Sequence, residues 1–225
     1  MRLHMEALFT QDARGRMVCV NEPDGDVAPR FYIGRTVHGS VWRFRHDLDD
    51  GLVQTLETLC SKEVPGEEYV LPPHGSGEFE DALARTAPVQ KKWAGPAYRF
   101  PRSLPVTSET LCVREPDSAV LHADLVEWID DIPERQPFLV YLHGGRAVSV
   151  CCSVRKTRAA HEAGVETAQA FRGRGYAAQV VAAWARAVRE LGAVPLYSTS
   201  WSNRSSQAVA TRLGLVRYGT DLHMT

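Results

Sequence analysis

Apolar residues along this chain recur at two spacings, one of period two and one near 3.6, and the two spacings predict its elements in order. In the first hundred residues the runs MVCV (17–20), RFYIG (30–34) and SVWRF (40–44) are rich in β-branched and aromatic side chains and read as short strands. Leu48, Leu52, Leu56, Leu59 and Cys60 then recur at helical spacing, and GEFEDALARTA (77–87) predicts another short helix. Seven prolines fall between Pro65 and Pro105. Each fixes φ and lacks a donor, so this stretch, WAGPAYRFPRSLP (93–105) included, reads as loops and turns. The join between two parts of the chain is placed near Leu104.

The second part has the clearer pattern. DSAVLHADLVEWIDDI (117–132) predicts a helix closed by Pro133. PFLVYLH (137–143) and AVSVCCSVR (147–155) read as a strand pair joined at Gly144-Gly145, and HEAGVETAQ (161–169) as a third strand. From about Gly173 to Glu190, with Leu191 just beyond, Ala177, Val180, Val181, Trp184, Val188 and Leu191 form one apolar helical stripe that Gly192 ends. VPLYSTSW (194–201) is a strand, NRSSQAVATRLG (203–214) a short helix with Asn203 placed to cap it, and LVRYG (215–219) a last strand. Antiparallel pairing followed by strand–helix–strand–helix is a mixed α/β plan.

Within this plan one stretch is costly for a helix start. Arg172-Gly173-Arg174-Gly175 places two glycines where the predicted helix begins. A strand, a glycine turn and a helix start form an anion site, because the first helical N–H groups have no partner in the helix and its dipole favours negative charge there. Gly173 and Gly175 let a phosphate oxygen approach those amides, and Arg172 and Arg174 bring charge. Three chemistries compete for the loop. A nucleotide-hydrolysing loop needs a Gly-Lys-Ser/Thr ending that RGRGYAA lacks. A dinucleotide fingerprint is met by Gly173, Gly175 and Ala178, but the acidic residue expected some 20 positions on is missing, Glu190 lying inside the helix. An arginine–glycine RNA segment would be repeated rather than joined to an amphipathic stripe.

Composition narrows the partners. The chain has 225 residues, 44% hydrophobic and 24% charged, and a net charge of -1, so no overall field favours nucleic acid or an anionic membrane and any anion site is local. No apolar run reaches the roughly 18 residues of a membrane span, and the first residues lack signal-peptide features, so a cytoplasmic location is expected. The five cysteines and eight histidines show neither a disulfide framework nor metal-ligand spacing; buried thiols and no metal are expected.

The run from Glu162 to Leu215 resembles the GNAT superfamily of acyl-CoA-dependent N-acyltransferases. Arg172-Gly173-Arg174-Gly175-Tyr176-Ala177 matches that family's pyrophosphate loop, Val165-Glu166-Thr167 the end of the strand before it, and Asn203-Arg204-Ser205-Ser206 followed by Leu213-Gly214-Leu215 its downstream element. The resemblance implies a GNAT-like α/β (α+β) domain over 105–225, a splayed mixed, mostly antiparallel sheet flanked by helices, preceded by an N-terminal α/β part, 1–104. That part either shapes the acceptor cleft or is a degenerate copy of the fold. The implied co-substrate is acetyl-CoA, without metal. Main chain at Val165 and Thr167 would pair with the pantetheine arm. Arg172, Gly173, Arg174, Gly175, Tyr176 and Ala177 would hold the pyrophosphate, and Asn203 and Ser206 would reach the pantetheine or thioester. Many members carry a proton-donating tyrosine where this chain has Ala210, which leaves Tyr218, Tyr197, Ser206 or solvent as the donor.

The activity implied is transfer of an acetyl group to a primary amine, of a small molecule or a protein N-terminus, with no nucleic acid and no membrane; a homodimer is the assembly to test. The alternatives are a non-catalytic acyl-CoA sensor and, third, a nicotinamide-dependent reductase. On HEAGVETAQ, Glu162, Gly164 and Glu166 share one face, and Val165 and Thr167 the other. In the family arrangement the glutamate face looks into the acceptor cleft, with its two carboxylates roughly 13 Å apart along the strand. Glu166 is then the expected base and Glu162 the expected holder of the acceptor's positive charge.

Overall fold

The structure, a computed structural model, describes residues 1–63, 76–114, 120–121 and 123–225. In chain order its elements are α1 (Arg2–Leu8), β1 (Phe9–Gln11), β2 (Met17–Val20), β3 (Phe31–Thr36), β4 (Gly39–Phe44), α2 (Asp50–Cys60), α3 (Ser76–Ala84), β5 (Lys92–Arg99), β6 (Thr110–Cys112), β7 (Phe138–His143), β8 (Arg146–Lys156), β9 (Ala160–Thr167), α4 (Tyr176–Glu190), β10 (Val194–Ser198), α5 (Arg204–Arg212) and β11 (Val216–Met224). They fall into two units. The first takes Met1–Tyr98, Ser198–Asn203 and Arg217–Thr225, the second Arg99–Tyr197 and Arg204–Val216. Strand pairing is mostly antiparallel, and both units are mixed α/β.

In the first unit, β3 pairs antiparallel with β4 and with β11, and β5 lies beside β11. Side chains alternate across these strands, so the two faces acquire different cores. Phe31, Ile33, Leu222 and Met224 pack with Leu52 and Leu56 of α2 and Phe79 and Leu83 of α3. Tyr32 packs instead with Met5 and Leu8 of α1. The periodic residues after Leu48 do form a helix, begun by Asp49, whose carboxylate accepts from the Leu52 N–H at 2.8 Å.

On the α1 side, Asp221 Oδ2 receives His4 Nε2 at 3.2 Å and His223 Nε2 at 3.0 Å. Burial alone would raise the Asp221 carboxyl, but the hydrogen bonds and charge of His223 and His4 outweigh it and bring its pKa down to about 2.

One stretch expected to be loop is a strand. Residues 92–99 form β5 although Pro96 lies within it. Proline loses only the donor: its carbonyl still accepts from the Thr199 N–H at 3.3 Å, and the Ala94 carbonyl from Trp201 at 3.1 Å. Gly95 permits the approach, since a Cβ there would lie 1.8 Å from the Thr199 carbonyl oxygen. Pro65, Pro72 and Pro73, also read as loop, lie outside the described residues.

In the second unit the strand order is β6–β7–β8–β9–β10. Gly144 and Gly145, with φ of 57° and 80°, turn β7 into β8 as a two-residue hairpin requires. Cys151 and Cys152 are buried in β8 and the burial pushes both thiols up, Cys152 to about 12. All five cysteines are free, and contrary to expectation Cys112 is exposed and Cys19 only half-buried.

One face of this sheet carries α4; Leu191, expected in its apolar stripe, lies just past the end of the helix and is exposed. The Trp184 indole donates to Ser153 Oγ at 3.1 Å, which is itself 2.8 Å from His161 Nδ1. The other face buries Phe138, Val140, Val150 and Cys152 under Leu125 and Ile132. The expected helix over 117–132 is there only a 3-10 helix at Ala123–Trp128, with 117–119 and 122 outside the described residues. Aspartates favour local bonds over a helix interior, and Asp124 is drawn off to accept the Gln169 N–H at 3.0 Å. Among the described residues no helix is long and apolar enough to cross a membrane.

Candidate active site

Strands β9 and β10 run parallel and pair at Val194↔Ala160, Pro195↔His161 and Leu196↔Glu162. The pairing stops there, while β9 continues to Thr167 along β8. The Ala168 N–H bonds the Val148 carbonyl on β8, and main-chain groups alternate sides along a strand. The N–H groups of Glu166 and Gly164 therefore face β8, and those of Val165 and Thr167 face the edge that β10 has left. Sequence alternation put Val165 and Thr167 on one side. Only the tertiary structure shows that their main chain borders an opened edge.

At the end of this edge a short 3-10 turn, Gln169–Phe171, leads through Gly173 (φ 77°) and Gly175 (φ 83°) into α4, which begins at Tyr176 rather than at Gly173. Both glycines are left-handed, a conformation with little steric cost only for glycine. Gly175 caps α4 without a side-chain bond, and the first intrahelical bond runs from the Gln179 N–H to the Gly175 carbonyl. The amides of Tyr176, Ala177 and Ala178 precede that bond, at the positive end of a 15-residue helix.

The two loop arginines fold back onto the chain before them. Arg172 Nε donates to the Thr167 carbonyl at 3.0 Å and its Nη2 lies 3.9 Å from Glu166 Oε1. Arg174 donates to the Ala170 carbonyl at 3.2 Å and lies over the Phe171 ring, 5.2 Å from its centroid. A third arginine, Arg212 at the end of α5, places its guanidinium carbon 2.8 Å from where a Cβ of residue 175 would sit. No sequence spacing links positions 212 and 175.

The two glutamates have different surroundings. Glu166 Oε2 accepts the Trp128 indole N–H at 2.7 Å, so the face expected to open to an acceptor is covered by Trp128 at this point, and the Glu166 side chain keeps 31% of its exposure. Glu162 sits 2% exposed where β9 and β10 still pair, opposite Arg155 on β8. Trp128 had no sequence signal as a partner of Glu166, because it arrives from 38 residues away.

Asn203 immediately precedes α5, and Ser206 lies in the first turn of that helix. Ser206 Oγ is 2.7 Å from the hydroxyl of Tyr197, a residue 1% exposed on β10. Of the alternatives to the missing tyrosine, two therefore stand in one hydrogen-bonded pair. Ala210 is buried, and Tyr218 belongs to the first unit.

Residues 138–220 match the family model described as GNAT acetyltransferase. A GNAT-family acetyltransferase structure from Novosphingobium aromaticivorans superposes with a TM-score of 0.50 at 19% identity, over 60% of this chain and 65% of that one. A Drosophila protein gives 0.50 at 14% identity over 86% and 73%, and a GCN5-related N-acetyltransferase-like protein from Streptococcus suis 0.49 at 14% over 88% and 85%. The chain thus spans just under two thirds of the Novosphingobium protein. No curated protein matches it in sequence. The GNAT acetyltransferase family model thus matches the C-terminal part of this chain, and the likeness to the solved structures is one of fold.

Proposed function

We propose that the protein is an N-acetyltransferase that moves the acetyl group of acetyl-CoA to a primary amine. The observation supporting this most directly is the parting of β9 from β10 beyond Glu162 and Leu196, with the glycine loop and the first amides of α4 at the end of the freed edge. Main chain at Val165 and Thr167 pairs with the pantetheine arm as an added strand would. Gly173, Gly175 and the amides of Tyr176 and Ala177 receive the diphosphate, with Arg172 and Arg174 bracing the turn. Ser206, with Tyr197, adjoins the pantetheine or thioester, and Asn203 is assigned to it on the motif alone.

In the reaction the amine nitrogen attacks the thioester carbonyl carbon, the C–S bond breaks, and the thiolate takes up a proton to leave as free coenzyme A. An alkyl ammonium has a pKa of about 10.4, so it must lose a proton first. Glu166, partly exposed beside the freed edge, is assigned that step. No step is assigned to Glu162, which is 2% exposed where β9 and β10 still pair. Acceptor recognition is assigned to residues 1–104.

A sensor that binds acyl-CoA without turnover is the second reading, favoured by the Trp128 bond that occupies one Glu166 oxygen. Thiol release from acetyl-CoA across a panel of amines decides between them. Release with at least one amine supports transfer, and binding with no release across the panel supports the sensor. Binding of nicotinamide cofactor in place of acetyl-CoA would overturn both.

A further inference from the structure

We infer that Arg212, the last residue of α5, is the arginine that clasps the diphosphate of the acyl donor, in place of the two arginines of the loop motif. The inference rests on the acyl-CoA reading above and names the residue that selects a phosphate-bearing carrier. Arg172 and Arg174 are each tied back to the preceding chain by one donor, to the Thr167 and Ala170 carbonyls, and Arg172 also neighbours Glu166. Arg212 has no carboxylate or carbonyl accepting from its guanidinium among the described residues.

Its guanidinium fills the space where a side chain of residue 175 would be. Cζ, Nη2 and Nη1 lie 2.8, 2.9 and 3.1 Å from the ideal Cβ position. The left-handed Gly175 thus does two things: it turns the chain into α4, and it leaves the fork of Arg212 room against the loop. A cation beside the N-terminus of α4 faces the positive end of that helix dipole, an unfavourable placement that an anion shared between them reverses. The planar fork suits two oxygens of one phosphate, with the amides of Tyr176 and Ala177 serving the others. Arg212 also complements the C-terminal end of α5, a purely structural role that a lysine would fill equally well.

The test is calorimetric titration of the full chain with acetyl-CoA and with acetyl-dephospho-CoA, for wild type, Arg212→Gln, Arg212→Lys, Arg172→Gln and Arg174→Gln, together with ligand-free melting curves. Arg212 is exposed, and an ionic contact of an exposed side chain corresponds to a change in affinity of up to about fivefold. Arg212→Gln should lose about that factor for both ligands, with a loss that shrinks at high salt and an unchanged ligand-free melting temperature. Arg212→Lys should recover only part of it, and the two loop variants should lose less.

Wild-type affinity in Arg212→Gln overturns the inference. So does a loss confined to acetyl-CoA, which would move the contact to the 3′-phosphate. Full recovery by lysine, or a loss matched by a lower ligand-free melting temperature, reduces Arg212 to its helix-end role. If wild type binds neither ligand, the acyl-CoA reading itself fails, and the wild-type titration alone reveals that.

Discussion

At the scale of single residues, Gly175 and Glu166 carry the strongest expectations. Gly175 has φ of 83° and the Arg212 guanidinium beside it, so a branched side chain there meets both backbone strain and a collision. Gly175→Val is expected to abolish acetyl-CoA binding by calorimetry while the far-UV circular dichroism stays that of wild type; unchanged affinity would remove the loop from the donor site. Glu166 is tied to Trp128 at 2.7 Å yet keeps a third of its exposure. Glu166→Gln should lower turnover by at least about tenfold, with acetyl-CoA affinity nearly unchanged and the acidic limb of the pH profile lost. Turnover at the wild-type level with that limb intact would leave Glu166 as a purely structural partner of Trp128. The glycines and both glutamates were visible in the sequence. Trp128 and Arg212 were not, because each reaches its partner across the fold and no local spacing records such a contact.

At the scale of elements, the pattern was legible where burial is one-sided. The stripe Val180, Val181, Trp184 and Val188 became α4, and the strands on either side of Gly144-Gly145 became β7 and β8. It was misleading where a neighbour overrode local preference. Strand β5 holds a proline and a glycine because the segment after β10 presses close to it. A Cβ on Gly95 would lie 1.8 Å from a backbone oxygen, which no rotamer relieves. Gly95→Ala should therefore destabilise the protein by about 1–3 kcal/mol in denaturant unfolding, the range for overpacking. Gly77→Ala, where a Cβ meets nothing within 4 Å, serves as the control and should not destabilise. A stable Gly95→Ala protein would show that the two segments separate readily.

At the scale of the whole molecule, acid stability and chain division follow from groups far apart in sequence. The Asp221 carboxyl titrates near 2 in the folded state against 3.8 in the unfolded chain, a lowered pKa. Its contribution is present in full above pH 4 and is lost as pH falls toward 2, on the order of 2 kcal/mol. His161 is also lowered, by burial and then by the charge of Lys156, so its contribution is present above pH 6.5 and begins to fade below it. Stability measured by urea unfolding should decline from about pH 6.5 downward and more steeply below pH 4. Asp221→Asn should flatten the lower part of that decline, and an unaltered curve would show that Asp221 is not its source.

The first unit also includes Arg217–Thr225, and Leu222 and Met224 of β11 lie in its core. A fragment beginning at residue 105 carries β11 without its partner β3, so it should be poorly soluble and lack a cooperative melt. A soluble, cooperatively melting fragment would show that β11 does not need the first unit.

The sequence by itself determined what depends on near neighbours along the chain. It gave the strand and helix periods of the C-terminal part, the left-handed glycines that open and end α4, and the loop and downstream motifs that carry the family resemblance. Local sterics and periodic burial act over a few residues, and a sequence records them directly. The tertiary structure decided what depends on residues brought together from afar. It set where β9 and β10 cease to pair, the Trp128 contact of Glu166, the Tyr197–Ser206 pair and the place of Arg212 beside Gly175. It also gave the last nine residues to the first unit, with Leu222 and Met224 in its core. Such contacts are fixed by packing and register between elements, and a linear order of side chains does not specify which distant positions will meet.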